Sequence, residues 1–243
     1  MAMETERESR VLAEQFVAGL AAYEGNELVF NPWRDYDARY DLPGAPAIRR
    51  QQLVDYLVPR LGRCPYVVVA EAVGYQGGRF TGIAITCERM LLGLHRCIPA
   101  TDVLQGTGAR TSNPDSPYIT KATQRTSGFN EPTDTVVWEA IRANGLDPYT
   151  VLLWNIFPFH PHKKGEALSN RTPTPAELQS GWAFTEQLLA LNGAAQVLAV
   201  GRKAADTLAT FNVTATALRH PANGGANQYR QEFADAVNGT ISC

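Results

Sequence analysis

The sequence predicts a three-layer α/β/α sandwich built on a central, mainly parallel sheet of four strands. Two observations carry that expectation. Apolar runs that are continuous rather than alternating mark strands buried on both faces. Amphipathic stretches with helical periodicity separate those runs. A third observation agrees: the polar clusters fall just after the apolar runs, where an open parallel sheet places its ligands.

Taken in order, "RVLAEQFVAGLAAY" (residues 10–23) and "APAIRRQQLVDYLVPRLG" (45–62) have the spacing of amphipathic helices. "YVVVAEA" (66–72) reads as the first central strand and ends at the glycine-rich "GYQGG" (74–78). A helix is expected near "DTVVWEAIRANG", then a second strand, "YTVLLWN" (149–155). The next helix carries its own start signal, because Thr174 can cap it with Glu177 three residues on. A third strand, "AQVLAVG" (195–201), leads directly into the helix "RKAADTLATF", and a short fourth strand near residues 213–218 runs into "RHPANGG". The polar stretch from Thr101 to Asp134 is too long for a simple connection and suggests an active-site insertion.

Composition narrows the function classes. The 243 residues are 44% hydrophobic and 19% charged, ordinary for a soluble globular protein with length enough to bury a core. The charged N-terminus lacks a signal-peptide core and no run of about 18 apolar residues occurs, so a cytoplasmic protein without membrane contact is expected. A net charge of −2 argues against coating nucleic acid through bulk positive charge, while leaving room for a local basic rim. Cys64, Cys87, Cys97 and Cys243 show no C-x-x-C spacing and are expected to be reduced thiols, mostly buried.

The motifs argue by exclusion first. "GYQGG" is not G-x-G-x-x-G, and no G-x-x-x-x-G-K-[ST] occurs, so neither a dinucleotide nor a nucleoside triphosphate site is signalled. His160 and His162 could ligate a metal, but no Asp or Cys cluster completes a shell, and no metal or other cofactor is expected. What remains is three polar clusters at strand ends: "AEAVGYQGG", "NIFPFHPH" and "RHPANGG".

Together these clusters resemble the uracil-DNA glycosylase superfamily, over about residues 28–235. The likeness is to a bacterial branch whose first motif reads roughly G-E-A-P-G-Y-x-G-C-R-x-T-G-I-P-F-T-S-E; here it is "AEAVGYQGGRFTGIAITCE". "LLWNIFPFHPHKKGEALSNRTPTPAEL", "VGRKAADTL" and "LRHPANGGANQYR" are similar to its later motifs. The resemblance implies one domain over 1–243, with 1–27 as an N-terminal helical extension. It implies a DNA glycosylase that acts as a monomer, without cofactor, on a base flipped out of DNA.

By the same resemblance, Asn155 reads the base edge with its amide, and His220 hydrogen-bonds the pyrimidine O2 and stabilises charge on the departing base. Glu71 would position the attacking water or hold the pocket loop. The position that carries an aspartate in related families is Ala72 here, so water activation stays unassigned. Ala72, Val73, Gly74, Tyr75 and Ile85 would wall the base pocket with Asn155. His162, Lys163, Lys164, Arg171, Arg202 and Lys203 would contact phosphates, unless they only form a solvated charged face. Asn223, Gly224 and Gly225 lie in the loop expected at the minor groove.

The first motif also departs from the branch pattern. Ala70, Val73 and Ile85 replace a glycine, a proline and a stacking phenylalanine, and Ala84 replaces a second proline. Gly74 stands where the strictest uracil enzymes carry a tyrosine that excludes groups on C5. The loss of a ring stack is worth about 1–3 kcal/mol in base recognition. The pocket is therefore either degraded, as in a catalytically weak DNA-binding paralogue, or enlarged for a bulkier base. Modified pyrimidines such as the glucosylated hydroxymethylcytosine of phage DNA would fit the second reading and imply antiphage defence.

Overall fold

The computed structural model describes residues 2–239, so the expected thiol of Cys243 lies outside the described residues. Helix α1 (Ala2–Ala22) leads to the two-residue strand β1 (Val29–Phe30) and helix α2 (Ala45–Leu57). Strand β2 (Tyr66–Ala72) is followed by the short helices α3 (Gly78–Thr81), α4 (Glu88–Leu91), α5 (Ala100–Val103) and α6 (Ala122–Ser127), then by α7 (Pro132–Ala143). Strand β3 (Val151–Phe157), the two-residue β4 (His160–Pro161) and helix α8 (Pro175–Asn192) come next. Strand β5 (Gln196–Val200), helix α9 (Arg202–Thr210), strand β6 (Thr216–Leu218) and helix α10 (Ala226–Asn238) complete the order. No helix among the described residues is long and apolar enough to cross a membrane.

The main sheet has the order β3-β2-β5-β6 with every pair parallel, flanked by helices. All seven residues of β3 are buried, as a strand covered on both faces requires. Each fully buried Leu, Ile or Phe there contributes about 1.5–3 kcal/mol relative to an exposed one. The strand runs two residues beyond its expected end, so Asn155 is not its cap. It lies inside the ladder, opposite Ala70 of β2. That pairing holds the Asn155 backbone rigidly, while the expected strand near 213–218 shortens to three residues at the sheet edge.

Helix α1 is more than an extension. Ala13, Phe16, Val17 and Leu20 are buried in the main core, and the Phe16 ring packs 5.5 Å from that of Trp154. Strand β1 pairs antiparallel with β4, setting Phe30 opposite His160 and pinning the "FPFHPH" segment to the N-terminal part of the chain. Helix α8 starts as expected: Thr174 accepts from the Glu177 amide and the Glu177 carboxylate accepts from the Thr174 amide. A capping residue of this kind is worth about 1 kcal/mol.

The long polar stretch is held by one buried carboxylate. Glu88 accepts from the Thr111 amide (2.9 Å), the Ser112 amide and hydroxyl, and the Phe129 amide. Beneath the segment after β2, buried Asp41 pairs with buried Arg49 (2.6 Å) and Arg79 (2.9 Å). The Arg79 guanidinium also lies over the rings of Phe30 and Phe80. Removing Asp41 would leave two buried cations uncompensated, a loss of about 3–5 kcal/mol. Through these anchors the segment that follows β2 is fixed over the strand ends.

Candidate active site

At the carboxyl ends of β2, β3 and β5 lies a cavity of about 150 Å³, lined among others by Ala70, Gly74, Ile85, Asn155 and His220. It shares Ala70, Ala72, Gly74, Asn170, Val200 and His220 with an outer cleft of about 610 Å³. The cleft adds Glu71, Arg202, Lys203 and Arg219. A small buried pocket thus opens into a broad groove with cations on its rim.

Asn155 is 2% exposed and its Oδ1 has no hydrogen-bond partner. A buried acceptor left unpaired costs about 1–3 kcal/mol, which a ligand donor in the cavity would relieve. His220 faces the same cavity from the turn after β6. Its Nδ1 accepts the Ala222 amide at 3.1 Å, so the neutral ring carries its proton on Nε2 and has one N–H to donate. Burial, helped by the neighbouring Arg219, lowers its pKa and keeps it neutral at pH 7.

Two glycines seat this histidine. Gly201 has φ +88°, and a Cβ there would lie 3.0 Å from the Cβ of His220. A Cβ on Gly225 would approach the His220 carbonyl oxygen to 2.1 Å.

The remaining cavity wall comes from the far end of the polar stretch expected as an active-site insertion, through residues that the sequence did not single out. It is the start of α7, where Glu131, Thr133 and Asp134 line the cavity. Glu131 accepts from Gln76 Nε2 (3.2 Å) and from the Thr133 amide (3.4 Å). Asp134 is buried, and its Oδ2 is unpartnered. Burial first, and the Glu131 charge second, raise the Asp134 pKa well above the usual carboxylate range. Asp134 packs so close to the glycine turn that a Cβ on Gly77 would stand 2.6 Å from Oδ2.

Ile85 holds the other side with φ +49°, a left-handed conformation that is rare for a β-branched residue and stores about 1–3 kcal/mol of strain. Trp138 Nε1 donates to its carbonyl (3.0 Å) and helps hold it there.

Other residues singled out in the sequence fall in different places. Glu71 is half-buried in the outer cleft, its pKa raised by burial and drawn back by Lys203. Ala72 and Gly74 line both cavities, and Val73 lines the outer cleft. Tyr75 lines neither; its ring packs edge-on against Phe129.

Arg171 is not free for phosphate. Its five N–H groups go to Glu177 (2.6 and 2.7 Å) and to the carbonyls of His162, Thr172 and Leu28. Gly225 is buried and serves the His220 turn, whereas Asn223 and Gly224 are exposed at its tip.

His160 is buried between the carbonyls of Val73 (3.0 Å) and Ala167 (3.2 Å). Burial pushes its pKa down to about 3, so the neutral ring donates to one of them and braces the pocket loop. His162 stacks on it at 5.7 Å. Lys163 and Lys164 are exposed, Lys164 beside Glu27. Arg202 and Lys203 are exposed in the first turn of α9. Cations there oppose the helix dipole by about 0.3–1 kcal/mol each, a cost that a bound anion reverses.

The model of the uracil DNA glycosylase superfamily matches residues 116–239, just over half of the chain and including β3, β5, His220 and its loop. The chain belongs to that superfamily. It is a DNA glycosylase, a hydrolase whose family acts on DNA. Among solved structures, wild-type SMUG2 of Pedobacter heparinus matches with a TM-score of 0.62 at 14% identity, covering 96% of this chain and 99% of that one. At that identity the likeness shows the fold. No curated protein sequence matches.

In this glycosylase the acids of α7 escaped sequence reasoning because "NEPTD" reads as ordinary helix capping, and Glu131 does cap α7. The clue was the long polar stretch, whose far end delivers them to the pocket.

Proposed function

We propose that the protein flips a non-standard pyrimidine into the inner cavity and hydrolyses its N-glycosidic bond, leaving an abasic site. The observation that carries this reading is the pair facing one cavity: an unpartnered Asn155 Oδ1 and a His220 ring whose only N–H is on Nε2. Asn155 takes a donor from the base edge, N3–H of uracil or N4–H of a cytosine. As C1′–N1 breaks, its electron pair moves onto the base, and His220 Nε2–H stabilises the charge at O2. Water bonds to C1′ and gives its proton to the Glu71 carboxylate, which lies in the outer cleft where the sugar would sit. Arg202 and Lys203 hold the phosphate beside it. The reaction needs no Schiff base, and no strand cleavage is expected.

One observation favours a second, narrower reading. Gly74 carries no side chain at the junction of the two cavities, and the nearest atoms to a Cβ there would be those of Asn170 (3.7 Å) and Glu131 (4.0 Å). A substituent on C5 of the pyrimidine can pass that gap, which supports bulky modified bases, such as those of phage DNA, as substrates; on that reading the role is defence. The test is a panel of duplexes carrying uracil, hypoxanthine, hydroxymethylated and glucosylated pyrimidines, heated in alkali after incubation. Cleavage at one of the pyrimidines is expected. Efficient cutting of uracil with no cutting of any C5-extended base rejects the narrower reading alone.

A further inference from the structure

We infer that Glu131 and Asp134 form a polar subsite beyond Gly74 that hydrogen-bonds a hydroxyl group carried on C5 of the flipped pyrimidine. This rests on the reading of the cavity as a base pocket and adds what selects the base. Three facts converge. Asp134 Oδ2 is buried and unpartnered, and its residue lines the cavity. Glu131 Oε2 stands next to the open edge of Gly74, and Gln76 Nε2 supplies it with one donor only. Gly77 leaves the room that Asp134 fills.

A pocket for unsubstituted uracil has no use for this arrangement. Uracil offers one donor at its reading edge, N3–H, and Asn155 Oδ1 takes it. Beside C5–H, Asp134 Oδ2 would stay unpartnered with its desolvation uncompensated, and Glu131 Oε2 would keep the single donor from Gln76. A hydroxyl fits them chemically. Its O–H donates to Glu131 Oε2 or to the unpartnered Asp134 Oδ2, and burial favours the protonated form of Asp134, from which the hydroxyl oxygen can accept. A hydroxymethyl group meets this need with one hydroxyl, and a sugar meets it with several.

The test compares isosteres. Single-turnover excision is measured on duplexes with 5-hydroxymethyluracil, 5-ethyluracil and uracil, for wild type, Glu131→Gln, Asp134→Ala and Gly74→Ala. Melting temperatures confirm that each variant folds. The alanine at 74 meets no atom closer than 3.7 Å and lies on the path to the subsite, so it keeps the test decisive if Asp134→Ala unfolds.

The expected result is at least tenfold faster excision of the hydroxymethyl base than of the ethyl base by wild type, falling to within about threefold in Asp134→Ala and Gly74→Ala. Glu131→Gln is expected to lose part of the preference. Excision of uracil without any preference for hydroxyl over methyl overturns the subsite and leaves the glycosylase reading standing. Excision of no base overturns that reading and the subsite with it. A preference that survives in every variant also overturns the subsite.

Discussion

Removing the imidazole of His220 should abolish one transition-state hydrogen bond and little else. Its Nδ1 is already occupied by the Ala222 amide, so a single N–H, on Nε2, is available to the departing base. Deleting one such donor in a dry site costs about 2.7–4 kcal/mol, a factor of 10²–10³ in rate. His220→Ala should show that loss in single-turnover excision from a 5′-labelled duplex developed in hot alkali. DNA affinity, read by anisotropy, should stay within about threefold, because the bond strengthens as the base departs. The freed Ala222 amide is exposed and takes water instead. His220→Gln retains an N–H and should recover part of the rate. Excision by His220→Ala at near wild-type rate would refute the mechanism. So would a fall in DNA affinity as large as the fall in rate.

Asn155→Asp keeps the acceptor for N3–H but sets a carboxylate oxygen, in place of the Nδ2–H donor, against O4 of uracil, so excision of uracil should fall about 10–100-fold, the size of a buried hydrogen bond of about 1–3 kcal/mol. An equal loss of binding to undamaged DNA, measured by anisotropy, would place the defect in the strand. Ile85→Phe restores a ring to the cavity wall and, being unbranched at Cβ, suits φ +49° no worse than isoleucine. Its excision ratio of uracil to a C5-extended base should rise; an unchanged ratio would remove Ile85 from specificity. Stability should also depend on pH through His160, whose folded pKa of about 3 lies below its unfolded value of about 6.5. The unfolded chain then binds the proton that the folded one refuses. Its contribution is whole above pH 6.5 and declines below it, by about 2 kcal/mol at pH 5. Urea titrations of wild type and His160→Gln at pH 7 and pH 5 measure this, and equal pH slopes would contradict it.

The parts of this site that could be read from sequence share one property: backbone geometry and residue type together leave few options. Continuous apolar runs force β2, β3 and β5 into a doubly covered sheet, and the sheet then brings Ala70, Asn155 and Val200 to one end. The glycines at 201 and 225 are demanded by the His220 turn itself. The residues whose contacts differ from the expectation are those held by a partner far along the chain. Arg171 looked like a phosphate contact because its charge is visible in sequence, while the carbonyl of Leu28, 143 positions away, is not. Tyr75 looked like a pocket wall because it adjoins Gly74, yet Phe129 draws its ring away.

Glu131 and Asp134 are the more instructive case. Acids in a first helical turn need no explanation, since the helix dipole alone stabilises them. What sets these two apart is tertiary: Glu88 gathers the stretch that precedes them, and Gly77 makes room for a carboxyl that then has no donor. A polar group held unsatisfied by its surroundings is stable only at the expense of the fold. Where that expense falls on a cavity between the Asn155 amide and the open edge of Gly74, the proposed contact with a substrate hydroxyl would offset it, which helix capping by Glu131 does not.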